Sequence, residues 1–191
     1  TYPLLFNIAA SVRPTAELYQ AGAGLVPKEF TTHHLETVLE NQYFGRWYLN
    51  TILLTLFTLV SRFVIVSTAA YGFARLRFRF REFWFILVLS TMMVTPDTTI
   101  VPRYLQYRAM GILDSWWALI LPGAAEVFFL FLLRQFFARI PASLTESAFM
   151  DGAGHAQVFS RIILPMSVPA VATMTIFSFV WTWNDFVIPF V

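Results

Sequence analysis

Cysteine is absent from the 191 residues, which excludes disulfides and thiolate metal sites. Charge is scarce. Only 13% of the residues are Asp, Glu, Lys or Arg, about half the share of a soluble domain. The net charge is +2, and the 13 basic side chains form no block suited to nucleic acid, so no nucleic-acid partner is expected. A Walker A phosphate loop is missing too. Gly22-Ala-Gly24 lacks the further glycine and the lysine, reads as a turn, and gives this chain no means of holding ATP or its Mg ion. His33 and His34 are adjacent, but the third histidine, His155, lies far along the chain. A metal needs convergent ligands, so none is expected. No nucleophile motif appears, and an enzyme is not expected.

What is present is oil. The chain is 58% hydrophobic with 21 phenylalanines and a mean hydropathy of +0.64. A soluble domain of this size has too little interior for that much apolar surface, so an all-α membrane protein is the expected class. The opening TYPLLFNIAASVR has no initiator Met and no basic n-region, and the chain closes on WNDFVIPFV. Both ends read as cut within hydrophobic segments, so one membrane domain over residues 1–191, truncated at both ends, is expected.

Four apolar runs follow the first, at residues 47–73, 83–101, 116–137 and 168–191. Each approaches the ~20 residues that cross a hydrocarbon core as a helix. Trp47, Tyr48, Trp84, Trp116 and Trp117 sit near run edges as interfacial anchors. Arg75, Arg77, Arg79 and Arg81 crowd one short link beside Glu82 alone, which places that link in the cytoplasm. Alternation then puts residues 138–167 in the cytoplasm with Arg134, Arg139 and Arg161 around them. Residues 13–46 fall outside, where Arg13, Lys28 and Arg46 face Glu17, Glu29, Glu36 and Glu40.

The cytoplasmic insert is polar. Ser143 and Glu146 have the spacing of a capping box, which predicts a short helix from about Leu144 after Pro141. Gly152 and Gly154 end it in an elbow. A second short helix is expected from about Ala156, with Val158, Phe159, Ile162 and Ile163 on one apolar stripe. Pro165 and Pro169 are expected to stop it. Ala148, Gly152 and Ala153 are small and would allow another surface close approach, or would serve plain packing within the domain.

The insert resembles the EAA loop of binding-protein-dependent ABC importer permeases. That pattern is Glu-Ala-Ala, three residues, Gly, nine residues, Ile-x-Leu-Pro. The chain reads Glu146-Ser147-Ala148, three residues, Gly152, nine residues, then Ile162-Ile163-Leu164-Pro165. Ser147 is the one departure, and serine is still small. The stretches NTILLTLFTLVSRFVIVSTAAYGFARLRF, GILDSWWALILPGAAEVFFLFLLRQFF and TWNDFVIPF are similar to the carbohydrate branch, in its maltose-type (MalG-like) second-subunit group. The resemblance implies a MetI-like helical bundle with a six-span core. It also implies a multi-pass place in the prokaryotic inner membrane, a second permease subunit, two cytoplasmic ATP-binding subunits that carry ATP and Mg, and an extracytoplasmic solute-binding protein. It makes Glu146, Ser147, Ala148, Asp151, Gly152, Ala153, Leu164 and Pro165 the ATPase-coupling residues.

Charges within the spans are the other candidates. Arg62 precedes Arg75 by 13 residues, ~20 Å along a helix, which places it deep in the bilayer. Glu126 lies near the middle of its run, and Asp97 follows Pro96 at a broken helix end. Such groups line a translocation path or form a buried pair, Arg62 with Glu126 for example. Asn184 and Asp185, between Trp183 and Phe186, suit sugar hydroxyls and ring faces, or anchor the end of a span. The expected function is a permease subunit of an ATP-driven importer for a carbohydrate. The alternatives are a permease for glycerol 3-phosphate or another polyol and, in a different class, an ATP-independent secondary transporter or channel.

Overall fold

Helix formers and β-branched residues without a single internal proline run from Phe44 to Arg75. They form one helix of 32 residues, α4. At ~1.5 Å per residue it is ~48 Å long, more than the hydrocarbon core needs. The computed structural model describes residues 2–18 and 30–185. These divide between two compact units, residues 1–52 and 53–191.

The first unit holds α1 (Tyr2–Ser11), α2 (Thr15–Leu18) and α3 (His33–Glu40). Arg13 is fully buried there and pairs with Glu17 at 3.5 Å. His34 Nε2 lies 3.1 Å from the Arg13 carbonyl, so this histidine ties backbone together. Lys28, Glu29 and the Gly22–Gly24 turn lie outside the described residues.

The second unit begins within α4 and continues with α5 (Arg81–Ser90), a 3₁₀ turn (Thr91–Met93), α6 (Pro96–Met110), α7 (Trp116–Ala124) and α8 (Val127–Arg139). After these come α9 (Ala142–Met150), α10 (His155–Val158), a π turn (Phe159–Ile163), α11 (Leu164–Met166) and α12 (Val168–Trp183). Among the described residues, two helical stretches are long and apolar enough to cross a membrane, Phe44–Arg75 and Trp116–Arg139, and two bent pairs add up to two more spans.

Several run boundaries differ from the sequence reading, and proline explains the sharpest of them. The run expected over 83–101 is not one helix. Pro96 holds Thr95 extended at ψ 140°, because its ring disfavours helical geometry in the residue before it. The axis bends by 106° there. The backbone at Asp97 is helical, while its side chain lies outside what the structure describes. The run over 116–137 breaks after Ala124, so Glu126 is the N-cap of α8 rather than a mid-helix residue. The run over 168–191 is helical to Trp183, and its last residues, from Phe186, lie outside the described ones.

The core of this unit gathers Val66 and Ala70 from α4, Phe85 from α5, and Phe129, Leu133 and Phe137 from α8. Val158 and Ile163 from the insert join Met174 from α12. Outside this core, large apolar side chains such as Phe57, Val64, Trp84, Ile86, Ile176 and Phe179 are exposed on the helix surfaces. Lipid or a neighbouring subunit suits them and water does not.

Candidate functional site

The insert folds as two short helices around a glycine elbow, but it caps itself differently from the expectation. Pro141 is extended (φ −55°, ψ 132°) and is itself the N-cap, so α9 starts at Ala142. Ser143 is thereby already inside the first turn, and a helical backbone keeps its hydroxyl from capping. Its carbonyl instead accepts from Ser147 Oγ at 2.9 Å. The reciprocal contact forms at the second helix, where the Gly154 N–H donates to Gln157 Oε1 at 3.0 Å. Gly152 at φ +85° makes the elbow, a conformation that other side chains adopt only with strain. The Ala153 N–H donates across it to the Ala148 carbonyl at 2.9 Å.

Pro165 does not end the second helix. The π turn at Phe159–Ile163 precedes it, and a widened turn accommodates a residue with no N–H and a ring crowding the turn before. The chain breaks two residues later at Ser167, whose buried Oγ donates to the Ile163 carbonyl at 2.7 Å. The bend into α12 is 79°.

The close-approach surface expected from Ala148, Gly152 and Ala153 is divided. Ala148 and Ala153 are half-buried and pack against the core. Gly152 is exposed with nothing within 4 Å of an added Cβ. The accessible face of α9 instead carries Glu146, Ser147 and Asp151, with Met150 at 89% exposure. Leu164 is half-buried against the core, and Pro165 is exposed beside it.

The insert is rooted. Val158 and Ile163 are fully buried. The Phe159 ring lies 5.2 Å from Tyr71, and the Tyr71 hydroxyl lies 3.2 Å from His155 Nδ1. Arg75, the last residue of α4, donates to the Phe137 carbonyl at 2.7 Å and to the Ile140 carbonyl, closing the end of α8 just before α9 begins. The sequence reading used Arg75 only for orientation. Its place 13 residues from Arg62 gave no sign of this second use.

Deep in the bundle, Arg62 is 5% exposed. Its Nε donates to the Gly123 carbonyl at 2.5 Å, and its guanidinium lies 5.5 Å from the Phe129 ring centre. Gly123 is in the last turn of α7, where carbonyls lose their helical partners, and the cation takes one of them over. No Arg62–Glu126 ion pair within 4.0 Å exists among the described residues, because the break turns Glu126 into the cap of the next helix. Arg62 Nη1 and the hydroxyls of Thr55, Thr58 and Ser178 are buried without hydrogen-bond partners among the described residues. An added Cβ on Gly123 would lie 2.9 Å from Thr58 Cγ2 and 3.0 Å from Arg62 Nη2, so only glycine fits. The pair Pro122-Gly123 was the sequence signal for this break.

Asn184 and Asp185 are exposed at the end of α12. Asn184 Nδ2 donates to the Val180 carbonyl at 2.7 Å, closing the helix, and Trp183 stacks on Phe179 at 5.4 Å.

Residues 43–190 match the family model described as binding-protein-dependent transport system inner membrane component. The chain belongs to this family. The chain is 34% identical, over 97% of its length and 62% of the relative's, to a probable ABC transporter permease protein, YurM, of Bacillus subtilis. It is 31% identical, over 98% of its length and 67% of the relative's, to the galactooligosaccharides transport system permease protein GanQ of the same species. The structure superposes with a TM-score of 0.86 and 30% identity on a bacterial ABC transporter involved in import of the acidic polysaccharide alginate, over 96% of this chain and 65% of that chain. The chain therefore spans about two thirds of the length of these proteins.

Proposed function

We propose that this chain is the membrane-spanning part of one permease subunit in an ATP-driven importer, and that the cargo is a carbohydrate. The subunit sits in the prokaryotic cytoplasmic membrane and pairs with a second permease. It receives solute from an extracytoplasmic binding protein and leaves ATP hydrolysis to two cytoplasmic ATP-binding subunits. The observation that carries this reading is the insert: one helix displays polar and sulfur-bearing side chains to the outside, while the next plugs the core between α4, α8 and α12.

The geometry suits a lever. A partner that grips α9 at Glu146, Ser147 and Asp151 moves the elbow at Gly152. Val158, Phe159 and Ile163 then carry that motion into the bundle, because packed cores shift as units. The Tyr71–His155 contact and the Arg75 cap tie the same lever to the cytoplasmic end of α4. Relatives named for oligosaccharide transport support a sugar cargo over glycerol 3-phosphate.

The test separates conformation from contact at Gly152. Gly152→Asn tolerates the positive φ and adds modest bulk, whereas Gly152→Arg adds strain and a long charge. In the reconstituted complex, substrate-stimulated hydrolysis and uptake should survive in the first variant and fall roughly tenfold or more in the second, with membrane insertion intact. Full stimulation in Gly152→Arg would reduce the insert to an ordinary loop and place the ATPase contact elsewhere on the chain. Uptake that persists with no ATP-binding subunit in the membrane would favour a transporter or channel without an ATPase.

A further inference from the structure

The turn between α4 and α5 and the inner side of α9 enclose a cleft of about 840 Å³. Arg75, Arg77 and Arg81 line one wall, and Thr145, Glu146 and His155 line the other. A second recess of about 520 Å³ opens on the far side of the same turn, walled by Phe80 and Phe83. Arg77, Phe78 and Arg81 line both.

The three cations of the cleft differ in what holds them. Arg75 is committed to the carbonyls of Phe137 and Ile140, although its buried Nε has no partner. Arg81 donates to Glu82 at 2.9 Å and to the Leu76 carbonyl at 3.3 Å, and Glu82 also takes Arg134 at 3.1 Å. Arg77 is exposed and has no ion pair among the described residues. Two carboxylates meet them, Glu82 on Arg81 and Glu146 across the cleft. The surplus is positive, on a wall that continues directly into aromatic surface at the end of an apolar helix.

We propose that this cleft binds the phosphodiester headgroup of an anionic phospholipid. Arg77 meets the phosphate beside Arg81, which Glu82 holds in place, Thr145 and Glu146 accept from headgroup hydroxyls, and the acyl chains leave over Phe78, Phe80 and Phe83. A phosphoglycerol headgroup fits both walls, since it offers one negative charge and two hydroxyls. A soluble phosphate would use the cationic wall alone and leave the aromatic recess without a role. Bound lipid would brace α9 on the face of Ala142, Thr145, Glu146 and Phe149, which recur along one side of the helix. Glu146 lies at the edge shared by this cleft and the face proposed for ATPase docking, so the wall of Arg77 and Phe78 is the part that stands whether or not α9 docks an ATPase.

Arg79 supplies the control. It shares the turn and the charge but lines neither space, its guanidinium lying over Phe80 at 4.8 Å. The full permease complex in phosphatidylcholine nanodiscs is titrated with phosphatidylglycerol, and retained lipid is counted by native mass spectrometry. Arg77→Gln should weaken retention about fivefold, the value of one cation at a membrane surface. Arg79→Gln should leave it unchanged, and Arg77→Lys should keep most of it. Equal losses at residues 77 and 79 would mean diffuse surface attraction and overturn the site. So would unchanged retention in Arg77→Gln. Displacement of the lipid by millimolar glycerol 3-phosphate would overturn the lipid in favour of a soluble phosphate ester. Assembly of each variant is checked by size-exclusion chromatography, and Arg77→Lys supplies the comparison if the glutamine variant does not assemble.

Discussion

Two arginines of one helix do the same chemical task in different surroundings. Arg62 and Arg75 both leave α4 to donate to carbonyls at a helix C-terminus, the first at the end of α7 and the second at the end of α8. Arg75 is half-buried at the C-terminal end of α4, where water can replace it on the carbonyls. Arg62 is enclosed at a depth where water is scarce and an unpaired carbonyl costs several kcal/mol. A cap that is helpful at the surface becomes a requirement in the interior. The surroundings, rather than the hydrogen bond, set its worth.

The sharpest way to break this comparison is Arg62→Leu. It leaves the Gly123 carbonyl unpaired and should cost about 3 kcal/mol, by analogy with charged hydrogen bonds in protein interiors, read as thermal unfolding in detergent. Adding Glu126→Leu should restore little, because no ion pair within 4.0 Å joins the two side chains among the described residues. Recovery in the double variant would reinstate the ion pair and dissolve the contrast with Arg75.

Gly123→Ala comes next. The added methyl meets Thr58 Cγ2 at 2.9 Å, and overpacking of this kind costs ~1–3 kcal/mol. Thr58→Ser removes that methyl, so the pair of changes should recover part of the loss. Failure to recover would place the strain on the guanidinium instead and tie Gly123 more closely to Arg62. The smallest effect belongs to Arg75→Gln, at most ~1 kcal/mol, since solvent takes over the carbonyls. A loss as large as that of Arg62→Leu would mean that the end of α8 is as dry as the end of α7.

The helices and the insert were legible because apolar runs, proline and glycine speak locally. Composition alone required a membrane protein, and Gly152 and Gly154 placed the elbow. Legibility ended where two local rules competed. Ser143 and Glu146 satisfy a capping pattern, yet Pro141 claims the cap first. Pro165 reads as a stop, yet the chain widens a turn to pass it. Arg62 and Glu126 read as complementary charges. Their separation depends on a helix break at Ala125 that no short-range pattern encodes strongly, although Pro122-Gly123 hinted at it. The candidate residues of the insert lie on one compact element. The exposure of Met150 in place of Ala148 and Ala153, however, follows from how the elbow closes on the core, which is a tertiary fact.

The π turn at Phe159–Ile163 has a consequence for how this segment tolerates change. A π turn holds about one residue more than an α turn, so the stretch behaves like a gear with one spare tooth. Removing a single residue there would let the turn tighten to α geometry while leaving every contact of α12 in place. The wide turn and the α turn that replaces it each sweep about one full turn, so the elbow and α9 would keep nearly the same bearing. A deletion outside the π turn has no such reserve and would rotate them by ~100° about the helix axis, lifting Val158 out of the core. The nine-residue interval between Gly152 and Ile162 should therefore tolerate the loss of one residue only where the turn is wide.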